Sequence, residues 1–156
     1  MTDAMDGDDP MRVFAAFNEI GIISQLATAM LAASLSDGLH PSHFMIVNHL
    51  ARMGDGKTPV KIAGAMQVTK NTMTHSLRVL ESRGLIEISA NPEDGRGKLV
   101  FLTEAGRAFR DEAIVAVSAR FDAVLTPEIE DLLARIRPDL VALRAHLDRS
   151  RTPQGI

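Results

Sequence analysis

The sequence predicts a mainly α-helical fold with one small β-hairpin, and three observations carry that expectation. Between Thr58 and Gly84, two short apolar stripes at helical spacing follow one another across a turn. Between Leu85 and Leu102, two strand-like runs flank a cluster of turn formers. Outside that 45-residue stretch, three further segments carry long apolar stripes, more apolar surface than so small a module could hide.

Residues 1–9 hold four Asp and are expected to be a disordered acidic tail. A helix is expected from about Pro10 to Leu35, with Phe14, Phe17, Ile20, Ile23, Leu26, Ala27, Met30 and Leu31 on its apolar side. Val13, Ile22 and Leu35 widen that side, which suits more than one neighbour, a second subunit included. Ser36-Asp37-Gly38 reads as a turn. Pro41 then starts a helix to about Met53, with Phe44, Val47, Leu50 and Ala51 facing inward. Gly54-Asp55-Gly56 is a loop, and Lys57-Thr58 is placed as a short third strand of the hairpin sheet.

Thr58 suits a helix N-cap with Pro59 at the first helical position, where its missing N–H costs nothing. Val60, Ile62, Ala63 and Met66 give this helix its stripe, and Gln67-Val68 are left for a turn. Thr69 caps the next helix, Lys70 to Arg83, whose Met73, Leu77 and Leu80 recur at intervals of four and three. Gly84 ends it, since glycine takes the left-handed conformation at no steric cost. Helix, tight turn, helix is the unit whose second helix enters the DNA major groove. Thr69, Lys70, Asn71, Thr72, Thr74, His75 and Arg78 lie off the apolar stripe of that second helix and are its candidate DNA-reading side chains. In the hairpin, the strands are expected at Leu85–Ser89 and Lys98–Leu102, with Ala90–Gly97 as the loop. Asp94, Arg96 and Lys98 are placed at its tip, where an arginine suits a neighbouring minor groove and Asp94 could orient it.

After the hairpin, Thr103 is expected to cap a helix to about Leu125, with Phe109, Ala113, Val117, Phe121 and Val124 inward. Thr126-Pro127-Glu128 opens another helix to about Arg149, which Pro138 should kink or split. Residues 151–156 read as a frayed tail.

The segments Leu39–Leu50, Lys61–Glu87 and Asp94–Gly106 resemble the multiple-antibiotic-resistance regulator (MarR) family of winged-helix transcription factors. Leu80-Glu81, Arg83-Gly84-Leu85 and the Asp94/Arg96 pair followed by Leu102-Thr103 are the specific parts of the likeness. This chain departs from the family pattern at Gly95, where a second basic residue is usual, at His75, where arginine is common, and at His40, where Ser or Thr is common. The resemblance implies a winged helix-turn-helix DNA-binding domain at 36–103, flanked by N- and C-terminal dimerisation helices at 10–35 and 104–150. Phe14, Phe17, Phe121, Leu132, Ile136 and Leu140 are then the candidate dimer-interface residues. It further implies a homodimeric regulator, a repressor, reading an inverted repeat in double-stranded DNA. A small apolar or aromatic effector would bind between the helical arms and the winged helix and release the DNA.

Composition is compatible with this reading. The formal charge is −3, yet residues 57–102 carry seven bases against four acids, while residues 1–56 carry seven acids against two bases. Positive charge is thus concentrated where phosphate would be met. There is no cysteine, which excludes disulfides and thiolate chemistry. No G-x-S-x-G, glycine-rich phosphate loop or paired carboxylates in an apolar setting is present, so no enzyme and no cofactor are expected. His40 and His43 are the candidate metal pair, with Asp37 nearby, and a structural role is preferred for them over a metal-sensing variant. No uninterrupted apolar run reaches the roughly eighteen residues of a membrane span, and the acidic start does not suit a signal peptide, so the expected place is the cytoplasm. A winged helix that binds protein instead of DNA is the alternative that the net negative charge favours.

Overall fold

The computed structural model describes residues 10–36 and 38–150, with the Pro10 and Arg96 side chains outside that description. The expected acidic tail 1–9, the frayed tail 151–156 and Asp37 therefore lie outside the described residues. The elements run α1 (Pro10–Ala32), α2 (Pro41–Met53), α3 (Pro59–Met66), α4 (Lys70–Ser82), β1 (Ile86–Asn91), β2 (Asp94–Leu102), α5 (Glu104–Asp122) and α6 (Pro127–Ser150). They divide into two compact units, one through Ser118 and one from Ala119 onward.

In the first unit the core is aliphatic. Val47 and Leu50 of α2, Ile62 of α3, Met73 and Leu80 of α4, Ile86 of β1 and Val100 of β2 are almost wholly removed from water. The stripes of α2, α3 and α4 seen in the sequence supply the helical part of this cluster, which includes Ile46, and His43 of α2 is buried as well. One residue of the expected stripes differs, Val60, which is 50% exposed at the first turn of α3, while Ala51 and Met66 are half-buried against the cluster. The turn after α3 closes because Gln67 adopts a left-handed backbone (φ 56°), and Gly84 does the same after α4 (φ 68°).

The hairpin differs from expectation. Its turn is Pro92-Glu93 alone, and both strands run further, because Asn91 Oδ1 accepts the Glu93 N–H at 3.0 Å and closes the chain early. Pairing passes from Ala90–Lys98 directly to Asn91–Asp94. Gly95, Arg96 and Gly97 therefore form a bulge in β2 and do not lie in an open loop. The expected third strand is a single bridge, Lys57 to Val100.

Helix ends shift by a few residues. α1 stops at Ala32, since Ser34 and Leu35 donate to carbonyls three residues back in a tighter turn. α5 stops at Asp122, leaving Val124 65% exposed beyond it instead of inward. Thr103 does cap α5, accepting the Gly106 N–H at 3.0 Å while donating to Gly84 O at 2.7 Å. In the second unit, α6 continues through Pro138 unsplit: the ring removes one donor, and the neighbouring turns keep theirs.

α1 corrects the expectation about membrane spans: from Met11 to Ala32 it is long and apolar enough, by length and composition, to cross a bilayer. The expectation counted unbroken apolar runs, whereas the average over the helix tolerates Asn18, Glu19, Ser24 and Gln25. Within the single chain its apolar side chains are mostly uncovered, Phe14 at 64% and Leu26 at 63% exposure. In α6 no residue is buried, and Leu132, Leu133 and Leu140 stand exposed.

Candidate nucleic-acid interface

α4 is built as a two-faced rod. Met73, Ser76, Leu77 and Leu80 are buried on one side, and Thr69, Lys70, Asn71, Thr72, Thr74, His75 and Arg78 all lie exposed on the other. Its first turn is capped by Thr69 Oγ1, which accepts the Thr72 N–H at 3.2 Å and shares a 2.9 Å hydrogen bond with the Thr72 hydroxyl. No acidic residue stands in that turn, so the positive end of the helix dipole is left for an outside anion. Thr74 donates its hydroxyl to Lys70 O at 2.8 Å, so toward an incoming base it presents a methyl group and acceptor lone pairs. Asn71, His75 and Arg78 stand exposed beside the threonines on the same face.

A groove of about 550 Å³ joins α4 to the hairpin. Lys70, Thr74, Arg78 and Glu81 of α4 line it together with Ile88 and Lys98 of the hairpin. Three of the sequence-predicted residues on α4 and one on the hairpin are therefore brought to a single cleft with three cations and one acid at its rim. Asp94 is exposed at the start of β2, immediately after the turn. Arg96 has its backbone in the bulge, and the placement of its side chain lies outside the described residues.

The histidine pair is engaged in structure. His43, 4% exposed, accepts the backbone N–H of His40 through Nδ1 at 3.0 Å and so caps α2 from the inside. That bond fixes the neutral tautomer with its proton on Nε2. Burial lowers the His43 pKa from its usual value, and the nearby charges of His40, His75 and Arg83 lower it further. The two rings sit 5.6 Å apart, and among the described residues no group of three metal-ligating side chains comes together.

Sequence reasoning missed Asp55, Arg107, Asn48 and Arg110. Asp55 accepts the Leu102 N–H at 3.1 Å through Oδ1 and pairs with Arg107 at 2.8 Å through Oδ2. Arg110 Nε donates to Asn48 Oδ1 at 3.0 Å, tying α5 to α2. These partners lie 47 to 62 residues apart, beyond any local pattern.

The sequence profile of the MarR family matches residues 37–97, from the turn before α2 into the bulge of β2. A probable transcriptional regulator from Pseudomonas aeruginosa is 28% identical, with TM-score 0.60 over 78% of this chain and 96% of that one. The match to the MarR family thus covers the segment that holds α2, α3, α4 and most of the hairpin. A mutant MarR from E. coli, complexed with operator DNA, shares the fold at 22% identity and TM-score 0.62, covering 85% of this chain and 99% of that one. Bordetella bronchiseptica BpsR, whose DNA binding is regulated by 6-hydroxynicotinic acid, shares it at 21% identity and TM-score 0.62, covering 81% of this chain and 98% of that one. The fold is accordingly a winged helix like that of MarR, with the hairpin as its wing and α4 as the second helix of its helix-turn-helix.

Proposed function

We propose that this chain is a MarR-family DNA-binding transcriptional regulator, a repressor acting in the cytoplasm as a homodimer on an inverted repeat. The observation that carries the reading is the exposed polar face of α4, meeting Lys98 of the wing across one cation-rimmed groove. α4 would enter the major groove with Asn71, His75 and Arg78 toward base edges, and Lys70 toward phosphate. The wing, with Asp94, Arg96 and Lys98, would follow the neighbouring minor groove.

Dimerisation is the role given to the helical ends. α1 and α6 each leave apolar side chains in water, among them Phe14, Phe17, Leu132 and Leu140, at a cost that a second copy would remove. Phe121 and Ile136 are half-buried within the chain and would be completed by the same contact. Charged residues recur along α6 (Glu130, Asp131, Arg135, Arg137, Arg144), which favours a protein partner over lipid there. A small apolar or aromatic effector, bound among α1, α2 and the start of α5, would release the DNA by shifting the spacing of the two recognition helices. In the MarR family the chemistry is recognition, and no catalytic role is assigned.

The test is enrichment of a duplex from a random-sequence pool, followed by titration of the enriched duplex. The expected outcome is an inverted repeat bound with steep salt dependence. Failure to enrich any sequence, at low salt as well as at physiological salt, would overturn the reading. A protein-binding winged helix is the alternative that such a result would favour.

A further inference from the structure

We propose that Asp55 is a positioning residue: its carboxylate, shared between the Leu102 N–H and the Arg107 guanidinium, sets the angle at which the wing meets duplex DNA. The inference rests on the DNA-binding reading above. The loop that carries Asp55 is shaped around it, with Gly54 at φ 87° and Gly56 at φ 70°, two turns of the backbone that side chains disfavour. Asp55 Oδ1 accepts the Leu102 N–H at 3.1 Å, and Oδ2 meets Arg107 Nη2 at 2.8 Å. The next two residues hold the same strand, since Gly56 N donates to Val100 O at 3.0 Å and Val100 N donates to Lys57 O at 2.9 Å. The base of β2 is therefore gripped at Val100 and Leu102, and through Arg107 it is tied to the first turn of α5.

What extends beyond the grip is a lever. Three steps of the ladder, from the Ile88–Val100 pair to the Asn91–Asp94 pair, separate the grip from the far end of the bulge, about 10 Å at the usual rise of a strand. A tilt of roughly 10° at the base would carry the bulge about 2 Å sideways, outside the tolerance of a hydrogen bond. The pair is ill placed to act through stability, because the Arg107 side chain is 52% exposed and exposed ion pairs contribute little to folding. Its geometry, by contrast, is directional at both oxygens.

The test uses the full chain and a duplex enriched by the wild-type protein from a random-sequence pool, read by fluorescence anisotropy. Asp55→Ala should weaken binding about tenfold, on the scale of one lost groove contact, and Asp55→Asn, which keeps an oxygen for Leu102 N, about threefold. In an Arg96→Ala background the same Asp55→Ala change should cost less than about twofold, because the contact it orients has already gone. Melting temperatures locate any folding defect, and the isosteric Asp55→Asn carries the comparison if Asp55→Ala unfolds. Equal losses in the two backgrounds, or wild-type affinity in both Asp55 variants, would overturn the inference while leaving the DNA-binding reading intact. If the wild type enriches no duplex, the reading fails and this inference fails with it.

Discussion

Gly106 offers a test in which local helix physics and the packed structure predict opposite signs. It sits in the first turn of α5, where replacing glycine with alanine ordinarily stabilises a helix by up to about 1 kcal/mol. In this fold a Cβ at Gly106 would overlap the carbonyl oxygen of Leu85, lie 3.1 Å from its carbonyl carbon and reach within 2.6 Å of Leu102 Cδ1. The leucine methyl could turn aside, but the Leu85 carbonyl is backbone and is fixed by the Thr103 N–H, which donates to it at 3.2 Å. Such overpacking belongs at the upper end of the usual range, about 3 kcal/mol, so the net change for Gly106→Ala is a loss of roughly 2 kcal/mol. For a chain of this size that lowers the melting temperature by about 4–8 °C. Gly64 in α3 is the control: nothing lies within 4 Å of its built Cβ, so Gly64→Ala should gain about 0.5–1 kcal/mol. Thermal melts of both variants by circular dichroism decide the matter. A Gly106→Ala protein as stable as the wild type would refute the packing of α5 against the base of the wing.

Three further outcomes are expected. Burial first, and then nearby positive charge, hold His43 and His49 below their usual pKa, so each binds its proton more readily once the chain unfolds. Stability present above about pH 6.5 is thus lost as pH falls through the lowered values, and melts at about pH 7.5 and about pH 5.5 should show the decline. His43→Asn offers the His40 N–H an oxygen that does not titrate in this range and should flatten the slope; an unchanged slope would contradict the role given to His43. If the proposed dimer forms through the uncovered face of α1, light scattering should give a dimer for the wild type and a monomer for Phe17→Asp, and equal masses for the two would contradict that interface. Arg78→Ala should weaken binding to an enriched duplex by about 1–3 kcal/mol if Arg78 contacts a base, and retained affinity would remove it from the reading face.

The parts of the fold that were legible in the sequence are those whose determinants are local. Thr58-Pro59, Thr69 and Gly84 punctuate α3 and α4 through bonds and backbone angles set within a few residues. The stripe Met73, Leu77, Leu80 then fixes which face of α4 is left in water, so the candidate reading residues followed from spacing alone. The wing was less legible. Its turn depends on one Asn91 side chain accepting the Glu93 N–H, and its bulge on a three-residue mismatch in pairing, neither of which the cluster of turn formers discloses. The loop at Asp55 read as mere glycine-rich punctuation, because both of its partners lie about fifty residues away. His43 escaped as a cap because the bond runs from a backbone N–H to an imidazole, in place of the hydroxyl that marks most helix starts.

The account depends on α4 being presented to a duplex twice, by two copies related by a twofold axis. Hydroxyl-radical footprinting of an enriched duplex reads that arrangement directly. The account predicts two protected patches related by a dyad, with centres about one helical turn or a whole number of turns apart. A single unsymmetrical patch, or cleavage unchanged by the protein, would contradict it.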